Sequence, residues 1–504
     1  MHEHPVNTVL DLLQTGDRHT AVIVPELGIR VTYHSLRQQV VAMADALAAA
    51  GVRRGDRVAI ALPNGLPSIV TFLAASIAGT AAPLNPHYPY EEYLFFLQDT
   101  SARVLICPRV GVEEAHEAAS DSKIPVLAVE MTADGTVHLP DVPKGGSATL
   151  PSADDAALLL HTSGSTGRPK RVPLSHHNLA ISARNIASTY RLSPEDVSLC
   201  IMPLFHIHGL VASTLASLTS GGTVVAPTRF SPLSFWRTVR EHRVTWYSGV
   251  PTMHQLLLAR ARRDIPQEAP TLRFIRSCSA PLTIEVIRKM EDAFHVPFVE
   301  AYGMTEAAHQ MSANPLPPQQ SKHGSVGLPT GIRISIIDES GRHLGANERG
   351  EVVIQGPSVF RGYENDPEAN ARCFVQGWFR TGDQGFLDED GYLHLTGRIK
   401  DLIIRGGENI SPREVDELLL RHPAVAEAVT FASPHPTLGE EVVAAVVLHE
   451  PESESESALL KFCREHIADF KCPKKIFIVD NIPTTATGKV RRRAVADALL
   501  DGQE

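Results

Sequence analysis

The pattern of apolar and polar positions near the start of the chain predicts a helix followed by a buried strand. A helix over residues 34–51 would place its apolar side chains on one face and end at Gly51. The apolar positions of that face are Leu36, Val40, Met43, Ala44 and Leu47. The uninterrupted apolar run at residues 58–62 follows a polar turn, which is typical of a strand covered on both faces.

The same alternation of strands and helices continues through residues 223–302. The predicted strands cover residues 223–226, 244–248, 273–277 and 297–301. The predicted helices cover residues 232–242, a segment from Thr252 onward, and residues 284–294. Strands and helices that alternate at this spacing predict parallel βαβ units with helices on both faces of a sheet.

The pattern changes in the second half of the chain, first to short β-like runs and then to a compact α+β unit. The β-like runs cover residues 332–337, 351–355 and 392–395. The later elements are helices at 413–421 and 458–467, strands at 425–431 and 442–448, and a surface loop at 451–457. The predicted fold class is α/β, with a large N-terminal domain of parallel βαβ subdomains plus a small β subdomain at residues 1–398 and a small α+β domain at residues 399–504.

The length and charge of the chain limit the number of domains and the classes of function that it can have. A chain of 504 residues exceeds a single core and predicts at least two domains. The net charge of −10 disfavours a nucleic-acid or anionic-membrane binder, because such proteins carry a basic excess. The six cysteines include no C-x-x-C pair, so reduced thiols are expected. With no signal peptide, membrane span or peroxisomal address evident, a cytoplasmic protein is expected.

The segment from His161 to Lys170 has the composition of a polyphosphate-binding loop. It follows the apolar run 156–160, so a buried strand leads into a loop rich in glycine and hydroxyl groups that Arg168, Pro169 and Lys170 close. Backbone N–H groups, hydroxyls and two cations are suitable partners for phosphates. The segment does not match the Walker A pattern, and composition alone would also fit a flexible surface loop.

Six further segments follow this loop in a recognisable order. They are PLFHIHG at 203–209, YGMTE at 302–306, WFRTGD at 378–383, GRIKD at 397–401, GGENI at 406–410 and PTTATGK at 483–489. Together with the loop, they resemble the motifs of the adenylate-forming superfamily, which includes acyl-CoA synthetases, luciferases and peptide-synthetase adenylation domains. The resemblance implies an acid–CoA ligase that uses ATP, Mg²⁺ and coenzyme A, with an adenylation domain at 1–398 and a mobile catalytic domain at 399–504.

The resemblance also assigns roles to individual residues. Thr162 and Glu306 would hold Mg²⁺, for which oxygen ligands are suited. Lys489 would contact both the acid and the α-phosphate, where charge builds up in the transition state. The nucleotide would contact Thr162, Ser163, Gly164, Ser165, Thr166, Gly167, Lys170, Ser279, Ala280, Pro281, Glu300, Ala301, Tyr302, Gly303, Met304, Thr305, Asp383, Arg398, Gly406 and Gly407. Taken singly, these residues also have plain structural interpretations: a solvated lysine, a helix-start acid, an Asp turn or a core tyrosine.

Two features concern motion and access. Lys400 would act as the hinge about which the C-terminal domain rotates after adenylation, bringing the loop at Gly406 and Gly407 to the site for thiol entry. His206 would gate the acyl pocket. The pair of His206 and His208 suits zinc, but no third ligand is indicated in the sequence, so zinc is not expected.

The acid itself is suggested by three segments that resemble oxalate–CoA ligases of plants and yeast. They are RSCSA at 276–280, WYSGVPTMHQ at 246–255 and TEAAHQMSANP at 305–315. Oxalate is small and doubly charged, so its pocket should be short and end in hydrogen-bond donors. Ser279, His208 and His309 are the candidate donors, although His309 could equally pack locally. The alternatives are a medium- or long-chain acyl-CoA or acyl-AMP ligase and a non-catalytic nucleotide-binding regulator.

Two positions depart from the superfamily pattern. Arg171 follows the loop lysine where glycine is usual, and His161 replaces an aromatic residue. At position 171, the additional positive charge of an arginine near the phosphates is acceptable. If the backbone at this position required a positive φ, however, arginine would fit poorly, because only glycine adopts such a φ without steric cost. The sequence leaves the effect of Arg171 open, and it does not indicate the oligomeric state.

Overall fold

A computed structural model describes residues 7–13, 17–143, 145–162, 169–264, 271–451, 453–485 and 490–500. Its α-helices are Tyr33–Ala49, Leu66–Ala78, Tyr90–Asp99, Glu113–Asp121, His176–Thr189, Ala216–Thr219, Phe235–Glu241, Pro251–Asp264, Ile284–Phe294, Pro367–Cys373, Pro412–Leu419, Glu456–His466 and Arg492–Leu500. No helix of these residues is long and apolar enough to cross a membrane. The molecule is mixed α/β, which confirms the predicted fold class.

The largest element of the fold is a nine-stranded sheet, whose middle strands are parallel. In spatial order its strands are Leu328–Pro329, His309–Ala313, Phe298–Met304, Phe274–Ser277, Trp246–Gly249, Val197–Leu199, Thr223–Val225, Thr20–Val24 and Ile29–Thr32. The parallel order confirms the βαβ units predicted from residues 223–302. The carboxyl ends of the parallel strands lie along one edge of this sheet, where ligands of open α/β sheets bind.

A second, six-stranded sheet carries the two strands that flank the predicted phosphate loop. In spatial order its strands are Lys170–Ser175, Ala156–Thr162, Thr80–Pro83, Arg57–Ile60, Val104–Cys107 and Val126–Ala128. Ala156–Thr162 and Lys170–Ser175 pair antiparallel, with Thr162 opposite Lys170. The helix Tyr33–Ala49 packs beside the helix Leu66–Ala78, and its predicted apolar face is buried.

The predicted β subdomain is a five-stranded antiparallel sheet. Its strands are Arg333–Ile337, Gly350–Gln355, Phe374–Val375, Trp378–Leu387 and Leu393–Arg398. Trp378–Leu387 and Leu393–Arg398 form a hairpin that ends with Asp383 opposite Arg398. This hairpin therefore brings two predicted nucleotide-binding residues together at the edge of the subdomain.

The C-terminal part forms its own small sheet. Its strands are Ile403–Arg405, Glu408–Ile410, Val425–His435, Gly439–Leu448 and Lys475–Ile478. Its two clusters of buried apolar residues draw only on positions from Ile403 to Val495. The division at 398/399 stays a prediction. The predicted surface loop 451–457 is shorter than expected, because the helix begins at Glu456 after its cap, Ser455.

Several other predicted elements differ from the structure at their ends, and two of them show the reason. The helix predicted over 232–242 begins at Phe235, because its buried face starts there while Leu233 remains exposed. The strand predicted over 297–301 extends to Met304, because Gly303 and Met304 pair with the next strand.

Candidate functional site

Many of the predicted site residues line two adjoining cavities at the carboxyl edge of the nine-stranded sheet, which share Gly303 and Arg398. We call them the nucleoside cavity and the phosphate cavity. The nucleoside cavity is lined by Ser279, Ala280, Pro281, Glu300, Ala301, Tyr302, Gly303, Asp383 and Arg398 among others. The phosphate cavity is lined by Thr162, Lys170, Gly303, Met304, Thr305, Glu306, Arg398 and Lys400 among others.

Asp383 organises the floor of the nucleoside cavity. Its carboxylate pairs with the Arg398 guanidinium at 2.9 Å (Nε to Oδ1) and accepts a hydrogen bond from the Tyr302 hydroxyl. Burial and the neighbouring Asp383 carboxylate raise the pKa of Tyr302 well above its ordinary value, so the phenol stays protonated and donates. A fixed carboxylate of this kind can accept hydrogen bonds from the hydroxyls of a ribose.

Glu300 faces the same cavity from the strand Phe298–Met304. Burial raises its pKa to about 7, while the Gly324 N–H and the Arg413 guanidinium favour the ionised form. The carboxyl therefore exists in both protonation states near neutral pH. This residue was predicted as a nucleotide contact, and its altered pKa is a property that its sequence context did not reveal.

The phosphate cavity brings together hard oxygen ligands and cations. Thr162 and Glu306 both line it, and Lys170 lies opposite Thr162 on the neighbouring strand. Oxygen donors of this kind suit Mg²⁺. The predicted loop residues Ser163, Gly164, Ser165, Thr166 and Gly167 lie outside the described residues.

Tyr363 connects two members of this cavity and was missed by the sequence analysis. Its hydroxyl donates to Glu306 Oε1 at 2.8 Å, and the Lys170 ammonium lies over its ring, 4.6 Å from the centroid. Cation–π contact and hydrogen bond together fix the relative positions of the predicted metal ligand and the loop lysine. Nothing in the local sequence at Tyr363 indicates this role, because its partners come from distant segments of the chain.

The three residues predicted to bind the acid lie in contact behind the nucleoside cavity. His208 Nδ1 is 3.1 Å from Ser279 Oγ, and the His208 ring stacks on the His309 ring with centroids 4.9 Å apart. Ser279 and His309 have φ of 77° and 99°, which non-glycine residues rarely adopt. Backbone strain of this size is found mainly at functional sites, where the surrounding structure maintains it.

Two glycines permit this packing. A Cβ on Gly303 would lie 1.9 Å from the backbone oxygen of His309, and a Cβ on Gly209 would lie 2.3 Å from the backbone oxygen of Pro203. Gly209 follows His208 in a π-helical segment, His208–Leu215, and such segments are often found at functional sites. The side chain of His206, the predicted gate, accepts a hydrogen bond from the His208 backbone N–H at 3.3 Å.

Arg276 is the second residue that the sequence analysis missed. It stands in the buried strand Phe274–Ser277, and its side chain is fully buried against His208 and His309. The available signal was a charged residue inside a strand predicted to belong to a parallel sheet, because a buried arginine requires a special environment. No carboxylate of the described residues forms an ion pair with this guanidinium.

The glycine pair of the C-terminal part is not brought to the cavities. Gly406 and Gly407 form the turn between Ile403–Arg405 and Glu408–Ile410, and neither lines the two cavities. Lys489 lies outside the described residues. Their roles in the two half-reactions remain predictions.

The open question of Arg171 has a structural answer. It stands in the regular strand Lys170–Ser175 and is not among the residues with positive φ, so its backbone does not require glycine. Its guanidinium donates to the Asp99 backbone oxygen at 2.6 Å and approaches the Asp99 carboxylate at 3.6 Å. The side chain is therefore largely buried against the end of the helix Tyr90–Asp99.

Comparison with known proteins identifies the arrangement. Residues 12–364 match the model of the AMP-binding enzyme family, and residues 414–489 match the AMP-binding enzyme C-terminal domain. The chain belongs to the AMP-binding enzyme family. It is an AMP-forming acid–CoA ligase that uses ATP and works through an acyl-adenylate.

Similar members of the AMP-binding enzyme family include two oxalate–CoA ligases. The one from Arabidopsis thaliana is 46% identical and covers 90% of each chain, and the one from Saccharomyces cerevisiae is 40% identical and covers 95% of each chain. Among solved structures, ATP-bound MatB from Rhodopseudomonas palustris matches with a TM-score of 0.89 and 30% identity, covering 99% of this chain and all of that one. These likenesses extend over both predicted domains.

Proposed function

We propose that this enzyme converts oxalate, ATP and coenzyme A to oxalyl-CoA, AMP and pyrophosphate. The observation that carries the proposal is the fully buried Arg276 beside Ser279, His208 and His309. An isolated charge buried in protein costs several kcal/mol. A second carboxylate on the substrate would compensate that charge without contributing to the reaction.

The first half-reaction follows from the two cavities. One carboxylate oxygen of oxalate attacks the α-phosphorus, and the bond from that phosphorus to the bridging oxygen breaks, so pyrophosphate leaves. Thr162 and Glu306 would hold Mg²⁺, which offsets the repulsion between the two anionic reactants. Lys170 and the loop at 163–167 would hold the phosphates, and Lys489 would contact the reacting carboxylate.

The nucleoside is held by the other cavity. Asp383 would accept from the ribose hydroxyls, while the ring of Tyr302 and the backbone of Ala280 would cover the adenine. In the second half-reaction the thiol sulfur of coenzyme A bonds to the acyl carbon, and the bond to the AMP oxygen breaks. Lys400 would serve as the hinge for the intervening rotation, which would bring Gly407 to the site.

The similar proteins support oxalate as the acid substrate. Two similar proteins are oxalate–CoA ligases, and the segments that carry Arg276, Ser279 and His309 are those that resemble such ligases. A fatty acid would have to place an apolar chain against a guanidinium and two imidazoles, which is unfavourable. The long-chain ligase and the non-catalytic regulator are therefore not favoured.

The test is product formation by purified enzyme with ATP, Mg²⁺, coenzyme A and one acid at a time. We expect AMP and a product with the mass of oxalyl-CoA from oxalate, and far slower turnover of acetate, octanoate and palmitate. Efficient turnover of octanoate with none of oxalate would exclude the proposed acid and leave the ligase chemistry intact.

A further inference from the structure

The hydrogen bonds of Arg276 constrain both histidines of the acid pocket. The guanidinium reaches His208 Nε2 at 3.3 Å through Nη1 and His309 Nε2 at 3.0 Å through Nη2. Its other N–H groups contact neutral oxygens. These contacts are Ser248 Oγ at 2.8 Å, Gln310 Oε1 at 3.1 Å and Tyr190 Oη at 3.1 Å.

A guanidinium has five N–H donors and no acceptor, so every group that it bonds must accept. His208 Nε2 and His309 Nε2 therefore carry lone pairs, and in the neutral rings the proton is on Nδ1. A second contact supports this assignment for His208. Ser248 Oγ accepts from Arg276 and lies 2.6 Å from His208 Nε2, to which its own hydroxyl proton can donate.

The His208 ring is also held neutral. It stacks on the His309 ring at 4.9 Å with an interplanar angle of 25°, and a second positive charge beside Arg276 would be repelled. Burial lowers the pKa of His208 well below its ordinary value, and His309 and Arg276 lower it further. His206 and His254 act in the same direction, and no acidic group is among the causes.

The fixed Nδ1 proton of His208 determines how Ser279 is used. His208 Nδ1–H donates to Ser279 Oγ at 3.1 Å, which leaves the serine hydroxyl proton to donate elsewhere. Ser279 lines the nucleoside cavity, where the acid must meet ATP. Donors in a buried site bind a carboxylate strongly, because the anion would otherwise lose its hydration without replacement.

We propose that Arg276 is a positioning residue that locks His208 and His309 in the Nδ1–H tautomer, so that the hydroxyl of Ser279 is left to donate to the second carboxylate of the substrate. The identity of that substrate rests on the proposed function. The tautomers themselves do not, because they follow from contacts within the protein. Arg276 contributes its charge and its donors from behind the two rings.

The direct test is a two-bond ¹H–¹⁵N correlation spectrum of enzyme labelled at histidine, without substrate. The resonances of His208 and His309 would be assigned with the variants His208→Gln and His309→Gln. We expect both rings to show the Nδ1–H pattern between pH 6 and 8. An Nε2–H pattern for either ring would overturn the proposal, whatever acid the enzyme uses.

The kinetic test uses Arg276→Met, which keeps an unbranched side chain and removes the donors and the charge. We expect the KM for oxalate to rise about 100-fold and the KM for ATP to change less than about threefold, since charge-assisted hydrogen bonds are lost only in the acid pocket. The KM for oxalate should also become dependent on pH, because the freed histidines can be protonated as the pH falls. Equal changes in both KM values at every pH would show a merely structural role.

Two control variants distinguish a loss of stability from a loss of histidine positioning in Arg276→Met. Arg273→Met removes an arginine just upstream of the same strand, where it pairs with Asp196 at 2.6 Å, so it should affect stability but not the KM for oxalate. Arg276→Lys keeps the charge and should recover part of the lost affinity. If the wild-type tautomers are as expected but oxalate is not a substrate, the proposed function fails and the role of Arg276 stands.

Discussion

His161 and Arg171 lie opposite each other on the two strands that flank the phosphate loop, and both approach the carboxylate of Asp99. His161 Nε2 is 3.0 Å from Asp99 Oδ2, and Arg171 Nε is 3.6 Å from the same oxygen. Arg171 also approaches Glu364, which pairs with Arg57 at 2.6 Å. The two departures from the superfamily pattern are therefore one structural unit that connects the two paired strands to Asp99.

Removing Arg171 should weaken nucleotide binding more than acid binding. Arg171→Ala deletes the contacts to Asp99 and Glu364, so the strands that position Thr162 and Lys170 lose a shared support. We expect the KM for ATP to rise about tenfold, the equivalent of ~1.4 kcal/mol, with the KM for the acid unchanged. The matched control is Arg361→Ala, which removes an exposed ion pair with Asp154 and should change neither value.

Tyr363→Phe should raise the requirement for Mg²⁺. The substitution removes the hydroxyl that donates to Glu306 Oε1 and keeps the ring beneath Lys170. We expect the Mg²⁺ concentration for half-maximal activity, and the Kd of the metal–nucleotide complex measured by calorimetry, to rise by about tenfold. Tyr363→Leu also removes the cation–π contact and should affect ATP more strongly. Unchanged metal dependence in Tyr363→Phe would mean that Glu306 is positioned without this hydroxyl.

The stability of the enzyme should depend on the ionisation of Glu300. Its folded pKa of about 7 lies above the ordinary 4.5, so the folded state binds more protons than the unfolded state between these values. The free energy of unfolding therefore falls as pH rises from 4.5 to 7, by about 3 kcal/mol at most from this one group.

Thermal melts of wild type and Glu300→Gln at pH 5 and pH 8 measure this contribution. The variant lacks the ionisation, so it should gain stability relative to wild type at pH 8 and show little difference at pH 5. Glu285→Gln replaces an exposed carboxylate and should behave as wild type at both pH values. A wild-type advantage that grows towards pH 8 would contradict the raised pKa.

Lys489→Ala should separate the two half-reactions. Because we assign this lysine to the reacting carboxylate and the α-phosphate, its loss should abolish acyl-adenylate formation and spare thioester formation from adenylate supplied directly. Single-turnover assays of each half-reaction measure the two effects. Lys461→Ala, at an exposed position of the C-terminal part, is the control. Equal losses in both half-reactions would refute the assigned role.

The elements that were predicted well are those determined by neighbouring residues in the sequence, such as capping residues and the spacing of apolar positions. The helix Ile284–Phe294 has the predicted bounds, because Thr283 caps it and its apolar residues recur on one face. The parallel strands were predictable for a similar reason, since alternating helices allow few other topologies. The site residues were predicted from sequence motifs that keep their order along the chain, and their roles stay predictions.

The residues that were missed depend on contacts between distant segments. Arg276 becomes informative only when strand pairing brings it against His208 and His309, and Tyr363 only when it meets Glu306. The positive φ of Ser279 and His309 was equally hidden, because positive φ is uncommon at any residue other than glycine. Tertiary packing imposes that conformation.

The measurement that tests the recognition of a second carboxylate most directly compares oxalate with oxamate. Oxamate has nearly the same shape and keeps one carboxylate, but a neutral amide replaces the other. If the group at Arg276, His208, Ser279 and His309 binds the second carboxylate, kcat/KM for oxamate should be lower by about 100-fold or more, because charge-assisted hydrogen bonds are lost in a buried site. Equal kcat/KM values for the two acids would contradict the recognition of a second negative charge at this site.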